Sequence, residues 1–155
     1  MLDFGAATGR GAMQSLVRGL LALDDASDAQ AGLSGVGHAI GDGLIDRGDA
    51  LFLKDLVDVP MSLADRATYE AMDNATRAGG RRHVVSRLVE RASRRQPRLL
   101  SVEDIHWSDG STLNDLAGLS ATVAQCPAVL VLTARPAGHA FDESWRAAAD
   151  AENST

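Results

Sequence analysis

A single cysteine, Cys126, occurs in the whole chain, so no intrachain disulfide can form and no cysteine cluster can hold a metal. The four histidines, His38, His83, His106 and His139, are scattered and carry no metal-ligand spacing. Nowhere does the sequence approach the roughly 18 consecutive apolar residues of a membrane span, and its start lacks the basic-then-apolar pattern of a secretory signal. A cytoplasmic protein is expected, without a membrane partner. Positive charge is in deficit too: the formal net charge of -6 argues against electrostatic capture of nucleic acid or an anionic membrane by the chain as a whole. A last absence concerns phosphate. The glycine-rich stretch Gly5-Ala6-Ala7-Thr8-Gly9-Arg10-Gly11 invites a phosphate-loop reading, but the G-x-x-x-x-G-K-[ST] pattern, with its lysine and hydroxyl, is not there.

What is present suffices for one domain: 155 residues, 45% hydrophobic and 23% charged. Met1 to Gly5 reads as the end of a strand turning at a glycine, so the chain is expected to begin inside a fold. Ala12 to Leu23 carries Met13, Leu16, Val17, Leu20 and Leu21 at the spacing of a buried helical stripe. Asp24 to Gly37, rich in Asp, Ala, Ser and Gly, predicts a surface loop. Helical patterns follow at about His38 to Ile45, Asp49 to Val57 before Pro60, and Ser62 to Asp73. In the last of these, Ser62 is the expected N-cap, with Leu63, Ala67 and Met72 on the inner side. No strand pattern interrupts this run, so residues of about 35–80 read as a helical insertion in an α/β frame.

Arg81 to Arg95 puts Val84, Val85, Leu88, Val89 and Ala92 on one helix face and leaves Arg81, Arg82, Arg87, Arg91, Arg94 and Arg95 to the other. A phosphate or nucleic-acid patch is the sharp reading, and a solvated face with cations near the helix C-terminus is the plain one. Arg98 to Glu103 is an apolar strand, Ser108 or Asp109 caps a helix to about Ala124, and Ala128 to Thr133 is a second buried strand. Strand, helix and strand over residues 98–136 form a βαβ unit, which brings both strand tips to one edge of a parallel sheet. A short helix at Asp142 to Ala149 and a polar tail at 148–155 close the chain, and no further strand is expected. Such a sheet would leave an edge unpaired, through which the chain could pair with a longer relative or with itself.

The chemistry concentrates at the first tip. Glu103 and Asp104 follow an apolar run that ends at the carboxyl edge of a parallel sheet, where ligands of open α/β folds bind. Two acids there suit Mg²⁺, which keeps waters and takes one or two carboxylates together with substrate phosphates. One acid could hold the metal and the other orient or deprotonate a water. Helix capping and plain solvation are the alternatives. Arg135, at the second tip, matches the geometry of a phosphate, although an arginine there can equally be a surface ion-pair former. His106 reads as a packing and hydrogen-bonding residue, and Trp107 as a pin holding the turn against the next helix.

The segment Ser101-Val102-Glu103-Asp104-Ile105-His106-Trp107-Ser108-Asp109 resembles the Walker B segment, often E-D-x-H-W-x-D, of signal-transduction ATPases related to the AAA+ class. Leu132-Thr133-Ala134-Arg135-Pro136 is similar to that family's next strand and sensor tip. The stretches Phe52 to Leu56 and Tyr69 to Arg77 resemble the ATPase region of large bacterial adenylate or guanylate cyclase-like regulators, and the likeness covers about residues 2–147. It implies a partial P-loop-NTPase-like, three-layer αβα core with a helical insertion. It also implies ATP and Mg²⁺ as ligands, Glu103 and Asp104 as metal- and water-handling acids, and Arg135 as a nucleotide sensor. The family's Walker A loop, cyclase domain, lid and helical repeats have no counterpart in these residues, so no cyclase activity is expected of them and the chain alone is expected to be inactive. The alternatives are a noncatalytic module that regulates a full-length relative and, more remotely, a nucleic-acid binder using the Arg81 to Arg95 helix.

Overall fold

The computed structural model describes residues 10–24 and 26–135. The expected strand stub at Met1 to Gly5, most of the glycine-rich loop, the helix at Asp142 to Ala149 and the polar tail lie outside those residues. In chain order the elements are α1 (Arg10–Leu20), α2 (Ala29–Gly41), α3 (Ala50–Leu56), α4 (Leu63–Ala71), α5 (Asn74–Arg95), β1 (Arg98–Val102), α6 (Gly110–Val123) and β2 (Ala128–Leu132). Two 3-10 turns, Arg47–Asp49 and Ile105–Trp107, precede α3 and α6. The fold is mixed α/β: mostly helix, with a two-stranded parallel sheet. Among the described residues no helix is long and apolar enough to cross a membrane.

The first correction falls between residues 24 and 37, where the expected surface loop is largely helix α2. Asp28 caps it, its carboxylate accepting from the Ala31 amide at 2.8 Å. Glycine costs a helix about 1 kcal/mol each, which is why the local pattern reads as loop. Packing outweighs that cost: a Cβ on Gly32 would collide with Val59 Cγ1, so only a bare backbone allows α2 to approach this segment. Val36 and Ala39 seal the same face.

Three helices end alike. The amides of Leu23, Leu44 and Val59 reach back to the carbonyls of Arg18, Ala39 and Lys54, giving α1, α2 and α3 Schellman ends. The left-handed residue that such an end requires is Ala22 (φ 56°), Gly43 (φ 68°) and Asp58 (φ 55°) in turn. Only Gly43 takes that conformation without steric cost.

Helix α4 starts where Ser62 predicts, with Ser62 Oγ accepting from the Asp65 amide at 3.1 Å. Its inner side is in part a second correction: Met72 is half-buried, but Leu63 is 90% exposed, Ala67 is exposed too, and Tyr69 is the buried residue. Tyr69 turns inward because its ring meets Phe52 edge-on at 6.0 Å and its hydroxyl accepts from Arg81 at 2.8 Å. Helix α5 begins at Asn74, earlier than its apolar stripe suggests, with Asp73 capping Thr76, and it runs unbroken past residue 80.

Helix α5 packs against α1, α3 and α6, and its Val84, Leu88 and Val89 are fully buried. With Leu53, Ile105 and Leu116 they form the centre of the core, each side chain contributing about 1.5–3 kcal/mol on burial. β1 and β2 pair in parallel with Leu100 opposite Leu130 and Val102 opposite Leu132, and these four face the helices. On the other face Leu99, Val129 and Val131 are 72%, 57% and 40% exposed, which corrects the expected second buried strand: no residue of β2 is buried, because among the described residues the helices cover the sheet on one face.

Candidate functional site

β1 ends at Val102, one residue earlier than its sequence pattern suggests, because the chain turns there rather than continuing the pleat. The Thr133 amide donates to the Val102 carbonyl at 3.1 Å, and the Ile105 amide donates to the Thr133 carbonyl at 3.0 Å. Between them, the Asp104 amide donates to Thr133 Oγ1 at 3.2 Å. Ile105, wholly buried, anchors the turn in the core. The two strand tips are therefore locked together, as the βαβ reading requires.

The lock gives Asp104 a left-handed backbone, φ 54° and ψ 35°. Strand alternation, which would send Glu103 and Asp104 to opposite faces, thus stops before it reaches them. Both acids are exposed at the carboxyl edge, and Arg135 is exposed three residues beyond β2. The Asp104 carboxylate lies 3.7 Å from His106 Nδ1. Among the described residues, no three His, Cys, Asp or Glu side chains converge as metal ligands.

His106 packs as expected, its side chain only 7% exposed, but neither ring nitrogen has a hydrogen-bond partner. Trp107 does not pin the turn against α6: it is 68% exposed, and its ring lies 5.0 Å from that of His106. The turn is held by Ile105 instead. Asp109, not Ser108, caps α6; its carboxylate accepts from the amide and the hydroxyl of Thr112, both at 2.8 Å, and these bonds hold its pKa below the usual carboxylate value. No sequence signal singled out Thr133, whose role depends on its neighbour in the sheet.

Most arginines of α5 are matched by acids from elsewhere in the chain. Arg81 meets Asp55 at 3.2 Å, Arg82 meets Asp115 at 3.5 Å, and Arg87 and Arg91 share Asp46 at 2.8 and 3.1 Å. The Arg91 hydrogen bond and the two guanidinium charges hold the Asp46 carboxyl below its ordinary pKa. Arg94 pairs with Glu90 at 2.8 Å along the helix, and Arg95 lies 3.7 Å from Asp42. This face is an alternating field of charge and not a bare cationic stripe.

Fold and site together define a small mixed α/β unit whose parallel sheet presents two acids and an arginine at one edge. No protein-family model matches the chain, and neither a curated protein nor a solved structure matches it.

Proposed function

We propose that the chain is part of an ATP-handling module of the signal-transduction ATPase kind, with a partial P-loop-NTPase-like three-layer core. The observation that carries this reading is the locked pair of strand tips, which holds Glu103 and Asp104 exposed beside the Thr133–Arg135 segment. Glu103 and Asp104 would hold Mg²⁺ directly or through water, and Arg135 would face the nucleotide phosphates. The bound metal would supply charge neutralisation at those phosphates. What supports the ion is donor chemistry: two exposed carboxylates of the kind Mg²⁺ takes, with water and phosphate oxygens completing its shell. What the donor set lacks is the lysine and hydroxyl of a phosphate loop, so binding by this chain is weak and hydrolysis does not occur.

Equilibrium titration of the purified chain with ATP and Mg²⁺, beside Glu103→Ala and Asp104→Ala, tests the assignment. Saturable binding in the millimolar range that both substitutions weaken is the expected result. A folded chain that binds no ATP, or binds it equally well without either acid, would refute it. Turnover that disappears in Asp104→Ala would overturn the claim of inactivity.

A second reading is favoured by the exposed row of Leu99, Val129 and Val131. It makes the chain a noncatalytic partner that pairs with a longer relative through its sheet. Co-purification with such a relative, lost when Val129 and Val131 are charged, would support it.

A further inference from the structure

A cleft of about 240 Å³ opens between α5 and α6, away from Glu103, Asp104 and Arg135. Its floor is apolar: Met13 of α1, Leu56 of α3, Val85 of α5 and Leu119 of α6 are all buried. Its rim is polar, carrying Arg81, Arg82 and Ser86 on one side and Asp109, Ser111 and Asp115 on the other. An apolar hollow with a few convergent polar groups is how small-molecule sites are built, and this one is smaller than the usual site for a drug-sized ligand.

The rim charges are not equally committed. Arg81 donates to the Tyr69 hydroxyl at 2.8 Å and to Asp55 at 3.2 Å. Asp109 is engaged in capping α6. What is left is Arg82 and Asp115, whose contact of 3.5 Å is at the outer limit of a hydrogen bond. The two differ in what they lose by separating. The Arg82 side chain is 47% exposed and can move into water. Asp115 stands on a helix and its side chain is only 26% exposed, so its carboxylate stays partly desolvated wherever Arg82 goes, and burial pushes its pKa up. The carboxylate is the group a ligand can compensate.

We propose that this cleft binds a small organic cation, a primary ammonium on a short apolar tail, with the ammonium on Asp115 and the tail against Met13, Val85 and Leu119. Ser86 and Ser111 lie on the rim to accept the remaining ammonium protons. Arg82 competes with the ligand for the same carboxylate.

Hexylammonium and hexanoate are matched probes of this site. Methyl resonances of Met13 and Leu119 are followed by NMR as each is titrated into the full chain. Hexylammonium should give saturable shifts and hexanoate none. Asp115→Asn should weaken hexylammonium about tenfold or more, since a charge-assisted hydrogen bond is lost. Arg82→Gln should tighten it several-fold by removing the competing cation, an effect that a merely structural role for Arg82 would not give. Equal response to both probes, an unsaturable response, or unchanged affinity in Asp115→Asn would overturn the assignment. If Asp115→Asn fails to fold, Arg82→Gln decides alone: affinity equal to or below that of the unaltered chain refutes the proposal. None of these outcomes depends on whether ATP binds at the strand tips.

Discussion

Replacing Asp104 by glycine, alanine and asparagine separates the conformation of this residue from its chemistry. Its φ of 54° and ψ of 35° lie close to the left-handed helical minimum. A Cβ in that region costs an ordinary residue about 1–2 kcal/mol, whereas glycine pays nothing there. Glycine gives back about 0.5–1 kcal/mol through the greater freedom of its unfolded chain. All three variants lose the charge that faces His106 at 3.7 Å, and that loss is small because the Asp104 side chain is 54% exposed. Glycine should therefore be more stable than alanine by about 0.5–1 kcal/mol. Asparagine, which also tolerates the left-handed region, should stay within about 0.5 kcal/mol of the unaltered chain. Urea denaturation monitored by far-UV circular dichroism measures the order. An alanine variant as stable as the glycine one would refute the left-handed turn and, with it, the lock between the strand tips. The same three proteins sharpen the functional reading. If Asp104 serves Mg²⁺, all three should bind ATP less well, whereas recovery of binding in the glycine variant would show that the turn matters and the carboxylate does not.

Glycine substitutions within α2 should diverge. Gly37→Ala points into open space and should stabilise the chain by about 0.5–1 kcal/mol, while Gly32→Ala, whose methyl would collide with Val59 Cγ1, should lower its melting temperature. Ala22→Gly should stabilise the left-handed end of α1, where φ is 56°, by a similar amount to Gly37→Ala, and a fall in melting temperature would contradict the Schellman assignment. Asp109 titrates below its ordinary value of 3.8 in the folded chain, so its stabilisation is complete well above pH 3.8 and is lost as the pH falls through 3.8 towards the folded value. Asp109→Asn keeps a capping oxygen without the titration, so its stability should decline less steeply than that of the unaltered chain on acidification. Leu99→Lys with Val131→Glu, both on the open sheet face, should leave the unfolding midpoint nearly unchanged and raise solubility; a large loss of stability would show that something covers that face.

Periodicity and capping are local properties, and wherever they governed the outcome the sequence was legible. The stripe Met13, Leu16 and Val17, the core side of α5, the cap at Ser62, a cap at Ser108 or Asp109, and both strands follow from spacing and residue type within a few turns of chain. So does the position of Glu103 and Asp104 at a strand tip, since an apolar run ending in acids needs nothing distant to be recognised.

Tertiary structure decided the rest, because the partner in each case lies far along the chain. Glycine-rich α2 is a helix because Val59, beyond α3, fills the space above Gly32. Tyr69 displaces Leu63 from the inner side of α4 because Phe52 and Arg81 receive it. The arginines of α5 find Asp55, Asp115 and Asp46 at 26, 33 and 41 to 45 residues' separation, which turns an apparent cationic stripe into ion pairs. Asp104 enters its left-handed turn because Thr133, 29 residues later, binds the amide. A sequence pattern states which face of an element is apolar, but only the assembled chain decides what meets it.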